Sequence, residues 1–307
     1  MPGKQPKIAV LLAAYNGAKW IEEQLSSILR QSAVDVTVFI SIDASSDGTE
    51  ALCAAFAARH ACINVLPPAG TFGGASRNFF RLLRDIDLDE YDFAAFSDQD
   101  DVWHEDKLER AVDSIRLRDA DGYSSNVTAF WSDGRTRLLD KAQPQVAWDF
   151  LFEAAGPGCT YVMSRKLLEP LKRSVLRNWE QLQGVSLHDW YCYAFARSHG
   201  FKWFIDPVAS MQYRQHEQNQ VGANDGLRSL LVRYKAILDG WWFSQIRLIT
   251  YLVGKADDPF VQRWQQMRRW DLVRLSLSAM HCRRRSRDKV LFFIVCCVTA
   301  VLGNKCP

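Results

Sequence analysis

Residues 8–14, Ile8-Ala9-Val10-Leu11-Leu12-Ala13-Ala14, form an unbroken apolar run that stops at Tyr15-Asn16-Gly17. An apolar run without polar alternation suits a strand covered on both faces, as in a parallel sheet. Beyond the turn, Ile21, Leu25 and Ile28 recur at helical spacing. Val36, Val38, Ile40 and Ile42 then alternate with Thr37, Phe39 and Ser41, which predicts a second strand. Asp47-Gly48-Thr49-Glu50 has the form of a capping box and predicts a helix through Leu52 and Phe56. A short strand is expected over residues 63–66, and a loop at Gly73-Gly74. A helix carrying Phe79, Phe80, Leu82 and Leu83 follows, and then a strand over residues 91–97 that ends at Asp98. Strand and helix signals in alternation predict a doubly wound α/β sheet with its site at the carboxyl ends of the strands.

Past Ser132 the pattern is mixed. Residues 159–164 read as a strand, residues 188–198 as a helix, and residues 202–213 as one or two strands. From about Leu227 the signals are helical and aromatic, with Trp241-Trp242-Phe243, Trp264 and Trp270. The expected division is therefore a catalytic domain over residues 1–222 and a C-terminal helical region over residues 223–307. Internal repeats and low-complexity linkers are absent. Near the end, residues 290–302 are apolar except for Thr299 and follow the basic stretch 283–289. Thirteen helical residues span roughly 20 Å, short of the ~30 Å hydrocarbon core of a bilayer. A basic flank with a short apolar segment predicts a peripheral, interfacial membrane contact. The competing reading is a terminal helix buried against the aromatic helices before it.

Composition narrows the class. Of 307 residues, 48% are hydrophobic and 24% charged, a globular balance, and the net charge of +3 gives no global argument for nucleic acid. The eight cysteines show no C-x-x-C pair and no regular framework, which fits reduced, buried thiols of a cytosolic protein; Cys159 and Cys192 lie in apolar segments. Lys4 and Lys7 before the first apolar run superficially suggest a signal peptide. The run is at the short limit for one and passes directly into a turn, so a buried first strand is expected instead.

The chemistry concentrates in Phe96-Ser97-Asp98-Gln99-Asp100-Asp101-Val102-Trp103. Three carboxylates in four positions at a strand end repel one another, and a hard divalent cation relieves that repulsion while also binding a diphosphate. Were the strand to continue, Asp98 and Asp100 would point the same way and serve one metal. The alternative is a solvated acidic loop capping a helix over residues 106–115. His216, in Tyr213-Arg214-Gln215-His216, could add an imidazole ligand, and Arg214 could pair with phosphate. Asp189, in His188-Asp189-Trp190-Tyr191, sits at a helix start; it suits an N-cap or a general base for an acceptor hydroxyl. Neither G-x-G-x-x-G after the first strand nor G-x-x-x-x-G-K-[ST] is present, which argues against dinucleotide and P-loop folds. The H-E-x-x-H and G-x-S-x-G signatures are likewise missing.

In family order, these segments resemble the inverting family-2 glycosyltransferases of the GT-A fold, and among them the bacterial rhamnosyltransferases of surface-polysaccharide assembly. The resemblance rests on Val10-Leu11-Leu12-Ala13-Ala14-Tyr15-Asn16-Gly17 and Ser41-Ile42-Asp43-Ala44-Ser45-Ser46-Asp47-Gly48-Thr49. It continues through Ser97-Asp98-Gln99-Asp100-Asp101-Val102-Trp103, His188-Asp189-Trp190 and Tyr213-Arg214-Gln215-His216. It implies a Rossmann-like α/β fold with a mixed central sheet and a C-terminal helical region. Tyr15 and Asp43 would contact the base and ribose, with Ala13 and Ala14 lining the pocket through backbone. Asp98 and Asp100 would be the D-x-D pair, Asp100 the principal ligand of Mg²⁺ or Mn²⁺, and His216 would join it. Asp189 would be the general base, and Arg77 and Asn78 would contact the donor. Members often carry paired acids where this chain has Ile42-Asp43, so one expected carboxylate is missing.

The implied activity is transfer of L-rhamnose from dTDP-L-rhamnose to a saccharide or glycolipid acceptor of lipopolysaccharide core, O-antigen or another surface glycan. The place would be the inner face of the cytoplasmic membrane. A UDP-hexose donor on the same fold is the alternative enzyme, and a non-catalytic nucleotide-sugar-binding scaffold is the alternative of another class.

Overall fold

The computed structural model describes residues 4–216 and 239–303. The expected boundary between residues 222 and 223, the Asn/Gln/Gly-rich stretch 219–226 and the helical onset near Leu227 lie outside the described residues. In chain order the first part holds β1 (Lys7–Ala14), α1 (Ile21–Leu29), β2 (Asp35–Ile42), α2 (Thr49–Arg59), β3 (Ile63–Val65), α3 (Ala75–Asp85), β4 (Phe93–Asp98) and β5 (Val102–Trp103). Then come α4 (Lys107–Arg118), β6 (Gly122–Ser125), β7 (Val127–Phe130), β8 (Thr136–Leu139), β9 (Val162–Ser164), α5 (Arg165–Arg177), α6 (Trp179–Leu182), α7 (His188–Ser198), β10 (Trp203–Asp206) and β11 (Met211–Arg214). The chain closes with α8 (Trp241–Leu252), α9 (Pro259–Gln262), α10 (Arg269–Leu277), α11 (Ala279–Cys282) and α12 (Ser286–Leu302).

A seven-stranded sheet in the order β10-β6-β9-β4-β1-β2-β3 forms the centre. Strands β3, β2, β1 and β4 run parallel, whereas β9 is antiparallel to both β4 and β6. The sheet is thus mixed, as the resemblance implies. Strand β1 explains why an apolar run was needed: Ala9, Leu11 and Ala13 enter one core, while Ile8, Val10, Leu12 and Ala14 enter the other. Both faces of the strand are dry. The first core continues through α3, α5 and α7 into α8–α12, so the C-terminal helices share one core with the catalytic region. The second core lies under α1, α2 and α4.

Several local expectations change. No capping box forms at Asp47: the N-cap of α2 is Gly48 in the left-handed region (φ 90°), where glycine has no Cβ penalty. The Asp47 carboxylate instead accepts the Ala18 and Thr49 amide hydrogens, lacing the loop after β1 to the loop after β2. Residues 159–164 are not one strand, because residues Gly158–Thr160 form a 3₁₀ turn before β9. Residues 202–213 divide between two sheets: β10 edges the large one, and β11 sits in a four-stranded sheet of order β5-β11-β7-β8.

The basic stretch near the C-terminus changes most. Arg284 is 5% exposed and donates to the fully buried Asp149 carboxylate at 3.0 Å. Tyr193 and Arg197 donate to the same carboxylate. Arg283 donates to the Phe152 carbonyl, and Arg285 to that of Asp140. These three arginines fasten α11 and α12 to the segment before β9 and are not a free membrane-facing flank. Helix α12 packs Phe292 edge-on against Phe152 (5.1 Å) and Trp242 (5.7 Å), so one face of the apolar tail is core. The opposite face exposes Leu291, Ile294 and Val301. No helix among the described residues is long and apolar enough to cross a membrane.

Replacing Arg284 with Ala leaves the buried Asp149 short of a counter-charge. It should cost about 3 kcal/mol, the lower end for breaking a buried pair because Arg197 remains; urea denaturation followed by tryptophan fluorescence reads the loss.

Candidate active site

The carboxyl ends of β2, β1 and β4 lie side by side, with Ala13 in register with Ser41 on one side and with Asp98 on the other. The chain leaves β1 toward β2 and β3, then returns to β4 on the other flank. That reversal of strand order opens a crevice beyond the strand ends, the usual ligand position in such sheets.

Ala13 and Ala14 are buried at this edge, and the Ala14 carbonyl accepts the Asp43 N–H at 2.8 Å. Tyr15 is 55% exposed beside them. Asp43 does not present its carboxylate to the crevice. It is 3% exposed and accepts the N–H groups of Ala44, Phe72 and Gly73 at 2.7–2.9 Å, which pins the loop before α3. Asn78 is also turned inward, 2% exposed, with its amide donating to the carbonyls of Ser41 (2.9 Å) and Ala14 (3.4 Å). Buried backbone groups hold both side chains at the strand ends, and donor contact by Asp43 and Asn78 stands as a proposal. Arg77 is exposed but holds the carbonyls of Gln183 and Phe72.

Gln99 is a residue the sequence reading passed over. Its side-chain oxygen accepts the Tyr15 N–H at 2.6 Å, and its amide donates to the Tyr15 carbonyl at 2.7 Å. A side-chain amide thus imitates a strand partner and joins the acidic motif to the end of β1. Gly17 makes room for it, since a Cβ there would stand 2.3 Å from the Gln99 oxygen.

Asp98 and Asp100 are not two alternate positions of one continuing strand. Strand β4 ends at Asp98, so the two-residue period lapses and the acids divide. Asp98, Asp101 and Cys159 bring their ligand atoms within 4.8 Å of one another. Asp100, 7% exposed, instead meets His216, whose Nε2 lies 2.6 Å from its Oδ2. The imidazole stacks on Trp20 at 4.1 Å. The reason His216 arrives here is the pairing of β5 with β11, Trp103 opposite Met211 and Val102 opposite Gln212. One strand starts just after the acidic motif and the other ends just before His216. Arg214 is held by the same clasp: its backbone N–H donates to Asp101, and its guanidinium donates to the Asp100 carbonyl (2.8 Å) and to Glu23.

Burial pushes the Asp98 carboxyl up to about 7, and the charges of Asp100 and Asp189 add to the effect. Asp101 is raised as well, first by burial and then by Asp100 and Asp98. One Asp101 oxygen is buried with no partner. On the protein side the buried Lys107 ammonium sits 3.5 Å over the Trp103 ring, its own affinity for a proton lowered to about 7 by desolvation. An excess of carboxylate in a low dielectric, an orphaned oxygen and an adjacent imidazole together fit a hard divalent cation.

Asp189 is the second residue of α7, whose N-cap is Leu187, so the N-cap reading is set aside. Its carboxylate accepts the Trp190 N–H at 2.7 Å, and burial raises its pKa to about 6. Gly158 lies beneath it; an added Cβ would stand 2.6 Å from His188 Nε2 and 3.2 Å from the Asp189 Cβ. The next residue, Cys159, lies against Asp98 and Asp101, so two consecutive residues form the floor between Asp189 and the acidic motif. Cys159 is buried, as its apolar segment suggests, but its thiol faces the carboxylates. His188 stacks on Phe79 at 3.9 Å, and desolvation lowers its pKa to about 3, so it is a neutral wall beside Asp189.

The sequence model described as "Glycosyl transferase family 2" matches residues 9–166. The dTDP-rhamnosyl transferase RfbG of Shigella flexneri is 42% identical over 285 residues, covering 92% of this chain and 98% of that protein. A putative teichuronic acid biosynthesis glycosyltransferase of Bacillus subtilis, TuaG, is 27% identical over 167 residues, 53% of this chain and 64% of that protein. Among solved structures, residues 1–349 of S. aureus TarS superpose with a TM-score of 0.58 at 14% identity, covering 96% of this chain and 81% of that one. A Pyrobaculum calidifontis mannosyltransferase in complex with GDP-Man and Mn²⁺ gives 0.50 at 14% identity, with 98% and 88% covered.

The raised Asp98 pKa carries a stability sign. A carboxyl that holds its proton to about 7 when folded and to 3.8 when unfolded favours the fold fully below pH 4, and that support is lost as pH rises to about 7. Asn at this position cannot ionise. In EDTA, Asp98→Asn should therefore gain on the wild type between pH 4 and pH 7, by on the order of 2 kcal/mol once partial exposure is allowed for. Urea midpoints at matched pH values test this, and parallel curves for the two proteins would count against the assignment.

Proposed function

The chain belongs to glycosyl transferase family 2 and is a glycosyltransferase of the GT-A fold, and from that premise we propose that it transfers L-rhamnose from dTDP-L-rhamnose with inversion. The observation that carries the chemistry is the opposition of Asp189 to the acidic motif across Gly158 and Cys159. The donor is supported by the 42% identity to a protein named for dTDP-rhamnosyl transfer. A UDP-hexose donor is the second reading, favoured by the fold relationship to TarS, a structure of which holds UDP-GlcNAc.

In this reading Asp100 and His216 hold Mg²⁺ or Mn²⁺, with Asp98 beside them. The ion supplies charge neutralisation for the departing diphosphate. Tyr15 and the backbone of Ala13 and Ala14 border the nucleotide, while Gln99 fixes that border relative to the acidic motif. Arg77 and Arg214 flank the donor from the loop before α3 and from the end of β11. Asp189 takes the proton of an acceptor hydroxyl as its oxygen bonds to the anomeric carbon. The bond from that carbon to the diphosphate oxygen breaks on the opposite face, so configuration inverts. A carboxylate with pKa about 6 is well matched to this task, being ionised at neutral pH yet basic enough to accept a proton. The acceptor is a saccharide or glycolipid of a surface glycan, reached at the cytoplasmic face of the membrane through peripheral contact by the C-terminal helices.

Nucleoside diphosphate release from a panel of nucleotide sugars, with acceptor extract and with or without EDTA, tests donor and metal together; EDTA-insensitive turnover would remove the metal role. Asp189→Asn should lower transfer by about 10²- to 10⁴-fold with donor binding preserved, and full activity would exclude it as base. The wild-type kcat/KM should fall below pH about 6 as Asp189 takes up its proton.

A further inference from the structure

Exposed large apolar side chains among the described residues concentrate in the last helices, far beyond what a solvated surface needs. On α10, Trp270 (76% exposed), Arg274 and Leu277 (75%) follow at i, i+4 and i+7 and share one stripe. Helix α12, which packs directly on α10, exposes Leu291, Ile294 and Val301. Between α9 and α10 lies a cavity of about 450 Å³, walled by Phe260, Trp264, Leu275 and Leu277 and bordered by Arg263 and Arg274. Among the described residues neither guanidinium has an ion pair or a hydrogen-bond partner. The Trp264 indole, 1% exposed, has an N–H with no acceptor. The acid of α10, Asp271, is engaged elsewhere, accepting the Arg268 N–H at 3.1 Å. Two guanidinium groups bordering an aromatic cavity, next to an apolar surface, match one kind of occupant: an anionic oxygen group attached to hydrocarbon.

We propose that this cavity receives the phosphate headgroup of an anionic phospholipid, with Leu277, Trp270 and the outer face of α12 seated at the bilayer interface. Arg263 and Arg274 grip the phosphate with their planar forks, a geometry suited to phosphate oxygens. Trp270 lies at the headgroup level, where amphipathic rings are favoured. The volume is within the range of small-ligand sites and accommodates a headgroup, with the acyl chains left outside. Charge complementarity selects the lipid class, and the apolar stripe distinguishes a membrane surface from a soluble anion. The proposal rests on the peripheral membrane contact proposed above and gives that contact a chemical specificity.

The test is flotation of the full chain with phosphatidylcholine vesicles and with vesicles containing phosphatidylglycerol. Wild type should float with the anionic vesicles and much less with the neutral ones. Arg263→Gln/Arg274→Gln should bind the anionic vesicles at least tenfold more weakly, with unchanged melting temperature and unchanged nucleotide-sugar turnover in solution. Leu291→Ser/Ile294→Ser should weaken binding to both vesicle types. Undiminished anionic binding by the double Gln variant would overturn the headgroup site and leave membrane contact standing. Failure of wild type to float with either vesicle would overturn both. Thermal stabilisation by inorganic phosphate equal to that by the anionic vesicles would assign the cavity to a soluble anion. Turnover measured in the same preparations reads the catalytic assignment independently.

Discussion

The active site depends on one electrostatic constraint: three carboxylates, Asp98, Asp100 and Asp101, gathered where a dry strand meets the end of the sheet. Unscreened, such a group opposes folding, and the surrounding structure reads as a set of answers to it. The chain turns as soon as β4 ends, so Asp100 leaves the strand and meets the imidazole of His216. Asp100 is given an imidazole, Asp101 a backbone N–H from Arg214, and the interior a buried ammonium at Lys107. These contacts reduce the repulsion without neutralising it, as the raised proton affinities of Asp98 and Asp101 show. A site left short of positive charge fits the divalent cation proposed above.

The large sheet was legible in the sequence because its central strands are long and β1 is dry on both faces. Strands β1 and β2 have eight residues each, enough for pattern to outweigh accident. The small sheet was not legible. Its strands β5 and β11 have two and four residues, too short to carry a period, and yet their pairing delivers His216 to Asp100. The sequence suggested His216 through the order of its motifs and gave no geometric reason for it. Asp43 and Asn78 were suggested by residue type and position, and the backbone N–H and carbonyl groups that hold their side chains could not be read from the sequence.

Gln99, Lys107, Gly158 and Cys159 were invisible for a common reason. Each acts across a gap between segments distant in sequence: Gln99 onto Tyr15, Lys107 toward Cys159, and residues 158–159 between Asp98 and Asp189. No local spacing encodes such a role. A glycine that makes room for a buried carboxylate can be recognised only when the missing Cβ is built and found to collide. The C-terminal stretch carried a comparable ambiguity, since a row of arginines before an apolar helix has the same appearance whether it faces lipid or core. The fold resolves it by dividing the duties, with Arg283–Arg285 turned inward and one face of α12 left outside.

The Asp149–Arg284 pair has a mechanical consequence. It joins α12 to the stretch of chain that runs on to Gly158, the floor of the catalytic crevice. A terminal anchor on a flexible leash would let an enzyme sample orientations and reach acceptors at varied heights. Helix α12 is keyed into the same close-packed interior as the candidate site, and such interiors transmit displacement instead of absorbing it. If the outer face of α12 makes the membrane contact proposed above, the crevice would stand at a fixed height and tilt above that plane. The reach of the enzyme would then be a property of its shape, and acceptors would be sorted by how far their reactive hydroxyl projects.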